Sequence, residues 1–318
     1  MDELKNAVRS YALRDADHDG LARTPISGFE MMCVDTPRGD LQAVYRPLVC
    51  VVLQGAKRMT VGRECRTITA GESVIVSADM PVVGRVVQAS MAAPYMAVAV
   101  HLQLALIAEM AVQLDHSGAG PRGSGTERTH TQTVFTEDTR APVLDCITRL
   151  MGLLQRPEAI PLLQQGLLRE LHYWLMVGPH AAVLRALTDP TSHAHRIAAA
   201  ISLLRRNARS RMRVEHLAAA ANMSLTAFHK HFKQFTSLTP VQYQKRLRLI
   251  EARRLMLEQG LTAPHTAYEV GYESVPQFTR DYRRLYGRPP KQDVRTTFAP
   301  PLSDAGHESR SRPGESDS

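Results

Sequence analysis

The chain has 318 residues, 44% hydrophobic and 22% charged, which points to about two domains and excludes collagen-like, wholly disordered and disulfide-scaffold classes. Its most apolar stretch, 91–114, is broken by Pro94, His101, Gln103 and Glu109, so a bilayer span of about 20 apolar residues is excluded too. The net charge of +8 is unevenly placed: residues 1–190 hold 18 Lys/Arg against 20 Asp/Glu, residues 191–295 hold 19 against 7, and residues 296–318 hold 2 against 4. A basic back half of that kind suits a polyanion, either nucleic acid or an anionic membrane surface.

Residues 1–24 are polar and unpatterned and read as a mobile arm. The acidic start Met1-Asp2-Glu3-Leu4 has no apolar core of a secretory signal. Cys33, Cys50, Cys65 and Cys146 lack C-x-x-C spacing, so reduced thiols of a cytoplasmic protein are expected. Residues 25–105 read as β: segments 48–53, 57–61, 66–69, 73–76, 82–87 and 96–102 are short, rich in Val, Ile, Thr and Met, and bounded by turn signals. Gly62-Arg63 suits a two-residue type II′ hairpin turn. Many close-spaced strands favour a small barrel or a sandwich. Alternation would place Val49, Val51, Met59, Val74 and Val76 in its interior, where a small effector would sit; no effector-binding residue is assigned.

Residues 115–127 read as a flexible Gly-rich loop. Val143, Ile147, Leu150, Met151 and Leu154, then Ile160, Leu163, Leu167, Leu171 and Trp174, define two amphipathic helices within 139–187, divided by Pro157 and Pro161. Their stripes pack either on the β domain, completing a front domain over 25–187, or on a second copy. Residues 188–194 form a link. Residues 195–295 are helical almost throughout, and the tail 296–318 has the composition of disorder.

The back half contains a repeat. Ser224, Phe228, Phe232 and Pro240 recur fifty residues later as Ser274, Phe278, Tyr282 and Pro290; Lys230 matches Arg280, Lys233 matches Arg283, and Ala221 matches Gly271. Such a period means one supersecondary unit used twice. In each copy (about 214–235 and 264–285) a short helix, a tight turn and a serine N-cap, Ser224 or Ser274, lead into a basic helix with two aromatics one turn apart on its inner face. This is the helix-turn-helix pattern. Between the copies Thr239-Pro240-Val241-Gln242 forms a capping box that opens a long helix bearing Lys245, Arg246, Arg248, Arg253 and Arg254. A rigid spacer holding two recognition helices about 34 Å apart would set them in successive major grooves.

The segment Val270-Gly-Tyr-Glu-Ser-Val-Pro-Gln-Phe-Thr-Arg-Asp-Tyr-Arg-Arg-Leu-Tyr-Gly-Arg-Pro-Pro290 resembles the signature of the AraC/XylS family of bacterial transcription regulators, and 218–240 resembles that family's first helix-turn-helix. Tyr45-Arg-Pro-Leu-Val-Cys-Val-Val-Leu-Gln-Gly-Ala-Lys57 and Pro94-Tyr-Met-Ala-Val98 are similar to its amino-terminal domain. The resemblance implies an α+β protein of two domains, a cupin-like β-barrel with a helical hairpin followed by an all-α tandem helix-turn-helix domain over 195–295. It implies a cytoplasmic regulator of a double-stranded DNA operator, with a small-molecule effector, a second copy and RNA polymerase as candidate further partners, and no membrane. Carried over residue by residue, Thr226, His229 and Lys230 of the first recognition helix, and Gln277 and Arg280 of the second, would contact bases; Gln suits adenine and Arg guanine. Val275 would reach at most a thymine methyl. Lys233, Arg246, Arg253 and Arg283 would contact phosphates, which position without specifying.

The other class considered is a barrel enzyme with an accessory basic domain. His101 is the only histidine between 25 and 105, so a multi-histidine metal site is not expected in the barrel, nor is any cofactor. His193/His195 and His229/His231 are spaced i, i+2, which separates them on a helix. Stoichiometric metal in the purified protein would favour the enzyme.

Overall fold

The computed structural model describes residues 1–17, 19–62, 64–116, 133–210 and 212–298. Helix α1 (Asp2–Asp15) precedes nine strands: β1 (Leu21–Arg23), β2 (Phe29–Val34), β3 (Arg38–Tyr45), β4 (Leu48–Gln54), β5 (Ala56–Val61), β6 (Glu64–Thr69), β7 (Glu72–Val76), β8 (Met80–Gln88) and β9 (Tyr95–His101). Helix α2 (Leu104–His116), strand β10 (Val134–Asp138), and helices α3 (Ala141–Leu153), α4 (Ile160–Met176) and α5 (Ala181–Thr188) complete the front half.

The strands form two antiparallel sheets. One has six strands in the order β1-β2-β9-β4-β7-β10, the other four in the order β3-β8-β5-β6. This corrects the expected closed cupin-like barrel. A barrel needs every strand paired on both sides, whereas β1, β10, β3 and β6 each have one partner among the described residues. Strand spacing alone cannot distinguish the two, because closure depends on which strands pair at the ends. Val61 pairs with Glu64 and Gly62 adopts φ +61°, so the β5–β6 connection is a two-residue hairpin; Arg63 lies outside the described residues.

Register also corrects the interior assignment. Val49 pairs with Ile75 while Cys50 pairs with Val74, so Val49 and Val51 face the opposite side of the sheet from Val74 and Val76. All four are buried, because both faces of this sheet are covered. Residues 1–24 are not an unpatterned arm. Leu4, Val8, Tyr11 and Ala12 are buried along one face of α1, which packs on β1, β2, β9 and α3. Asp115 and His116 of the loop expected over 115–127 belong to α2; the rest of that loop and the tail beyond 298 lie outside the described residues.

The link is ordered. Asp189 Oδ1 accepts hydrogen bonds from Thr191 N and Oγ1 at 2.9 and 2.7 Å, and Ser192 caps α6 (His193–Arg206) by accepting from His195 N at 3.0 Å. Helices α7 (Val214–Ala220), α8 (Leu225–Thr236), α9 (Pro240–Glu258), α10 (Ala263–Glu269), α11 (Val275–Tyr286) and α12 (Pro290–Phe298) follow. The apolar core is continuous from α1 through the sheets to Ile197, Phe228, Phe232, Tyr243 and Leu247. A second core, built on Leu249, Ala252, Leu255, Phe278 and Tyr282, lies beyond it. The first helix-turn-helix unit therefore shares its core with the front half, and the second has its own.

Candidate nucleic-acid interface

The two units are built alike from their caps upward. Ser224 Oγ accepts from Ala227 N at 3.3 Å and Ser274 Oγ from Gln277 N at 3.4 Å. Each satisfies a first-turn N–H that has no helical partner. Helices α8 and α11 both run for 12 residues. Each ends on a left-handed residue, Ser237 at φ +57° and Gly287 at φ +77°, fifty positions apart.

Upstream the offset slips by one. Met223 N donates to Ala218 O, and Tyr272 N to Ala267 O, so these turns superpose at an offset of forty-nine. The left-handed position is Asn222 (φ +50°) in the first unit and Gly271 (φ +80°) in the second. Gly271 thus corresponds to Asn222, not Ala221, and the second turn holds one more residue. A Cβ at Gly271 would lie 2.1 Å from Arg209 O, so close backbone approach as well as φ requires glycine there.

Phe228, Phe232, Phe278 and Tyr282 are buried and fix the inner faces of α8 and α11. Thr226, His229, Lys230 and Lys233 are exposed on α8; Arg280 and Arg283 are exposed on α11. The matched cations Lys230/Arg280 and Lys233/Arg283 have no side-chain partner among the described residues. Several other cations of the back half are committed. Arg209 pairs with Glu251 and Glu269, Lys245 with Asp281, and Arg254 with Glu251 and Glu258, while Arg248 donates to Ala208 O and Gly271 O. Four free cations at equivalent helical positions form the strip that sequence matching singles out.

Two expected phosphate contacts leave that strip. Arg253 is 14% exposed at its side chain, pairs with the buried carboxylate of Asp293 at 2.8 Å and stacks on the Tyr286 ring. Tyr282 Oη and Arg288 hold the same carboxylate at 2.8 and 2.9 Å, so Arg253 bolts α9, α11 and α12 together. Arg246 is half-buried, with one enclosed nitrogen lacking a hydrogen-bond partner, and burial lowers its pKa. Gln277 is half-buried and corresponds to Ala227; the structural counterparts of Thr226 and His229 are Pro276 and Thr279. Leu225 and Val275, first residues of the two helices, are also equivalent, and Leu225 is 42% exposed. Sequence reasoning missed Leu225 and Thr279, which the fifty-residue offset would have found.

The flank of each recognition helix is covered at the same position. His231 stacks on His193 of α6 with ring centroids 4.1 Å apart, and Asp281 accepts from Lys245 of α9 at 3.0 Å. Burial, then His193, Lys230 and Arg196, push the His231 pKa below the ordinary histidine value. The ends of both helices meet the four-stranded sheet: Gly62 lies against Ser237, and Gln42 Nε2 donates to Leu285 O at 2.8 Å. Asp79, between β7 and β8, accepts from Arg205 of α6 at 3.1 Å and, through its carbonyl, from the Tyr243 hydroxyl of α9 at 2.5 Å. Among the described residues no group of three or more His, Cys, Asp or Glu is placed to hold a metal, and no helix is long and apolar enough to cross a membrane.

A two-sheet front domain joined to two helix-turn-helix units on one long helix defines a DNA-binding transcription regulator. The family described as AraC-type transcriptional regulator N-terminus matches residues 25–183, and a helix-turn-helix domain family matches 217–296. The chain belongs to the AraC/XylS family of transcriptional regulators. It is 35% identical over 78 residues to the transcriptional activator RhaS of Escherichia fergusonii, covering 24% of this chain and 28% of that protein. It is 28% identical over 93 residues to the regulator GbdR of Pseudomonas aeruginosa, covering 29% and 25%. The chain thus spans about a quarter of the length of these curated relatives. Solved structures of ToxT from Vibrio cholerae share its fold. One with an unsaturated fatty acid bound gives a TM-score of 0.51 at 10% identity over 84% of this chain and 93% of that one. One bound to a naphthalenyl-butenoic acid gives 0.55 at 10% identity over 85% and 98%.

Proposed function

We propose that the protein binds a double-stranded operator by laying α8 and α11 in successive major grooves. The observation that carries this reading is the pair of free, position-matched cations on each helix. Lys230 and Arg280 sit central to the exposed faces and read base edges together with Thr226, His229 and Gln277; Lys233 and Arg283 hold phosphates. Helix α9 has 19 residues, about 28 Å at 1.5 Å per residue, and stiffens the spacing. The test is the affinity of the full chain for a duplex selected from random sequences, measured across a salt series. Counterion release predicts a steep linear fall of log affinity with log salt, and a flat response contradicts the reading.

Self-association through α4 is the second element of the proposal. Leu162 and Leu163 are 82% and 56% exposed, and Tyr173 is 38% exposed. Leu162, Gly166, Arg169 and Tyr173 follow the four-three-four spacing of a helix seam, with open space over Gly166. Arg169 on the stripe and Glu170 beside it are paired within the chain, with Glu109 and Arg149, so the apolar residues are what a second copy of this chain, related by a two-fold axis, would cover. The front domain would also take a small effector, as ToxT accommodates a fatty acid.

A further inference from the structure

We propose that the stacked rings of His193 and His231 form a phosphate clamp on the flank of the first recognition helix, holding one backbone phosphate of the operator and taking up a proton as they do so. His193 opens α6 and His231 lies in the middle of α8, with ring centroids 4.1 Å apart and ring planes 21° apart. Arg196 of α6 brings a guanidinium whose Nη2 lies 3.2 Å from His193 Nδ1. The same guanidinium donates to the carbonyls of Thr191, Ser192 and Asn222 at 3.2, 3.4 and 3.3 Å. Lys230 adjoins His231 on α8. Basic side chains from two helices thus meet at one junction, and among the described residues no carboxylate pairs with any of them.

The equivalent position of the second unit is neutralised instead. Asp281 stands fifty residues after His231 and is held by Lys245 Nζ at 3.0 Å, with the Tyr272 hydroxyl at 3.4 Å. One flank is a matched ion pair; the other gathers like charges, which repel. The His231 ring answers by staying neutral, because burial, then His193, Lys230 and Arg196, hold its pKa down. Those are the charged and titratable groups that act on it. Helices α7 and α9 also pack on α8 and add none among the described residues. An anion is what this junction is charged to receive.

Its place in the fold selects the anion. An α-helix with its side chains is about 10–12 Å across and the major groove about 12 Å wide, so a recognition helix turns its outer face to base edges and its flanks to the phosphate rows of the groove walls. Lys230 is on the outer face, and His231, one residue further round, is on the flank that α6 abuts. His193 is exposed and His231 half-buried. A guanidinium can only donate, so His193 Nδ1 accepts from Arg196 and its Nε2 carries the N–H, ready for a phosphate oxygen. His231 is the ring that gains the proton. A phosphate beside it favours the charged form, and by linkage the affinity for the duplex rises as pH falls. Phosphate contacts position without specifying, so the clamp adds affinity and register, not sequence preference. The inference rests on the operator reading proposed above, and its test separates the failure of one from the failure of the other.

The test is the affinity of the full-length chain for a duplex selected from random sequences, read by fluorescence anisotropy across a pH series at constant salt, with histidine Cε1–H NMR of the free and bound protein. Binding about threefold to tenfold tighter at about pH 6 than at about pH 8 is expected, the effect of raising one histidine pKa by up to about one unit. The His231 resonance, assigned through His231→Gln, should titrate at higher pH in the complex than alone. His193→Gln with His231→Gln should remove most of the pH dependence, and its melting curve reports whether it folds; His265→Gln, on α10, should keep it. Duplexes with a single neutral methylphosphonate need no variant: one backbone position should abolish the pH dependence of the wild-type chain. Equal affinity across the series, an unchanged slope in the double variant, or no methylphosphonate position that removes the slope would each overturn the clamp and leave operator binding standing. Failure of every selected duplex to bind would overturn the operator reading itself, and the clamp with it.

Discussion

The hydroxyl of Tyr243 donates to the backbone carbonyl of Asp79 at 2.5 Å. This bond crosses from α9, the helix joining the two helix-turn-helix units, to the turn between β7 and β8. Arg205 holds the carboxylate of the same residue. Asp79 is mostly buried, and burial raises its pKa against the opposing pull of Arg205 and Arg46. Tyr243→Phe removes one buried hydrogen bond and leaves the Asp79 carbonyl short of its partner. A loss of about 1–2 kcal/mol is expected, read by denaturant titration. Because the first unit shares the front core, the loss should appear in the transition that unfolds both together.

Matched cations should behave as matched pairs. Lys230→Ala and Arg280→Ala should each cost about 1–3 kcal/mol in operator affinity and relax preference at a different base pair. Lys233→Ala and Arg283→Ala should weaken all sequences alike and lower the salt slope by about 1 each. Arg253→Ala should act otherwise. It strips a buried carboxylate of one partner and should destabilise the second unit by about 3 kcal/mol, seen in thermal melts without DNA.

The two turns predict opposite responses to small substitutions. Gly271→Ala adds a Cβ against Arg209 O at a positive φ and should cost more than about 1 kcal/mol of stability. Asn222→Gly relieves a non-glycine left-handed residue and should be neutral or slightly stabilising. Melting temperatures of the two variants settle the comparison.

The stacked pair His193–His231 gives the first recognition helix a pH dependence. The folded pKa of His231 is depressed, so the neutral ring is favoured in the native state. Its stabilisation is complete above the ordinary histidine value of about 6.5 and is lost as pH falls from there through the folded value. The facing groups, His193, Lys230 and Arg196, are basic, and Gln234 beside them is neutral. His231→Gln should flatten the stability profile in that acidic window, measured by denaturant titration at several pH values.

Leu162→Glu and Leu163→Glu place charge on the exposed stripe of α4. Sedimentation velocity should show the wild-type chain dimerising at micromolar concentration and the double variant remaining monomeric, with unchanged melting.

The helix-turn-helix units were legible because their signals are local: a serine cap, two aromatics one turn apart, and cations between them. The extra residue in the second turn escaped because Gly271 aligns in text with Ala221, while backbone hydrogen bonds align it with Asn222. Helix α1 escaped because Asp2, Glu3, Lys5, Asn6 and Arg9 mask a stripe of only four apolar residues. Barrel closure could not be read, since pairing at the sheet ends is a long-range property. Arg253 was grouped with the DNA-facing cations because charge and helical position do not reveal a buried partner such as Asp293, and Arg246 because they do not reveal burial.

The central claim is that α8 and α11 engage one duplex together. Hydroxyl-radical footprinting of the full chain on a selected site tests it most directly. Two protected patches about one helical turn (10–10.5 base pairs) apart on one face are predicted, with Lys230→Ala weakening one and Arg280→Ala the other. A single patch, or both substitutions erasing the same patch, would contradict the account.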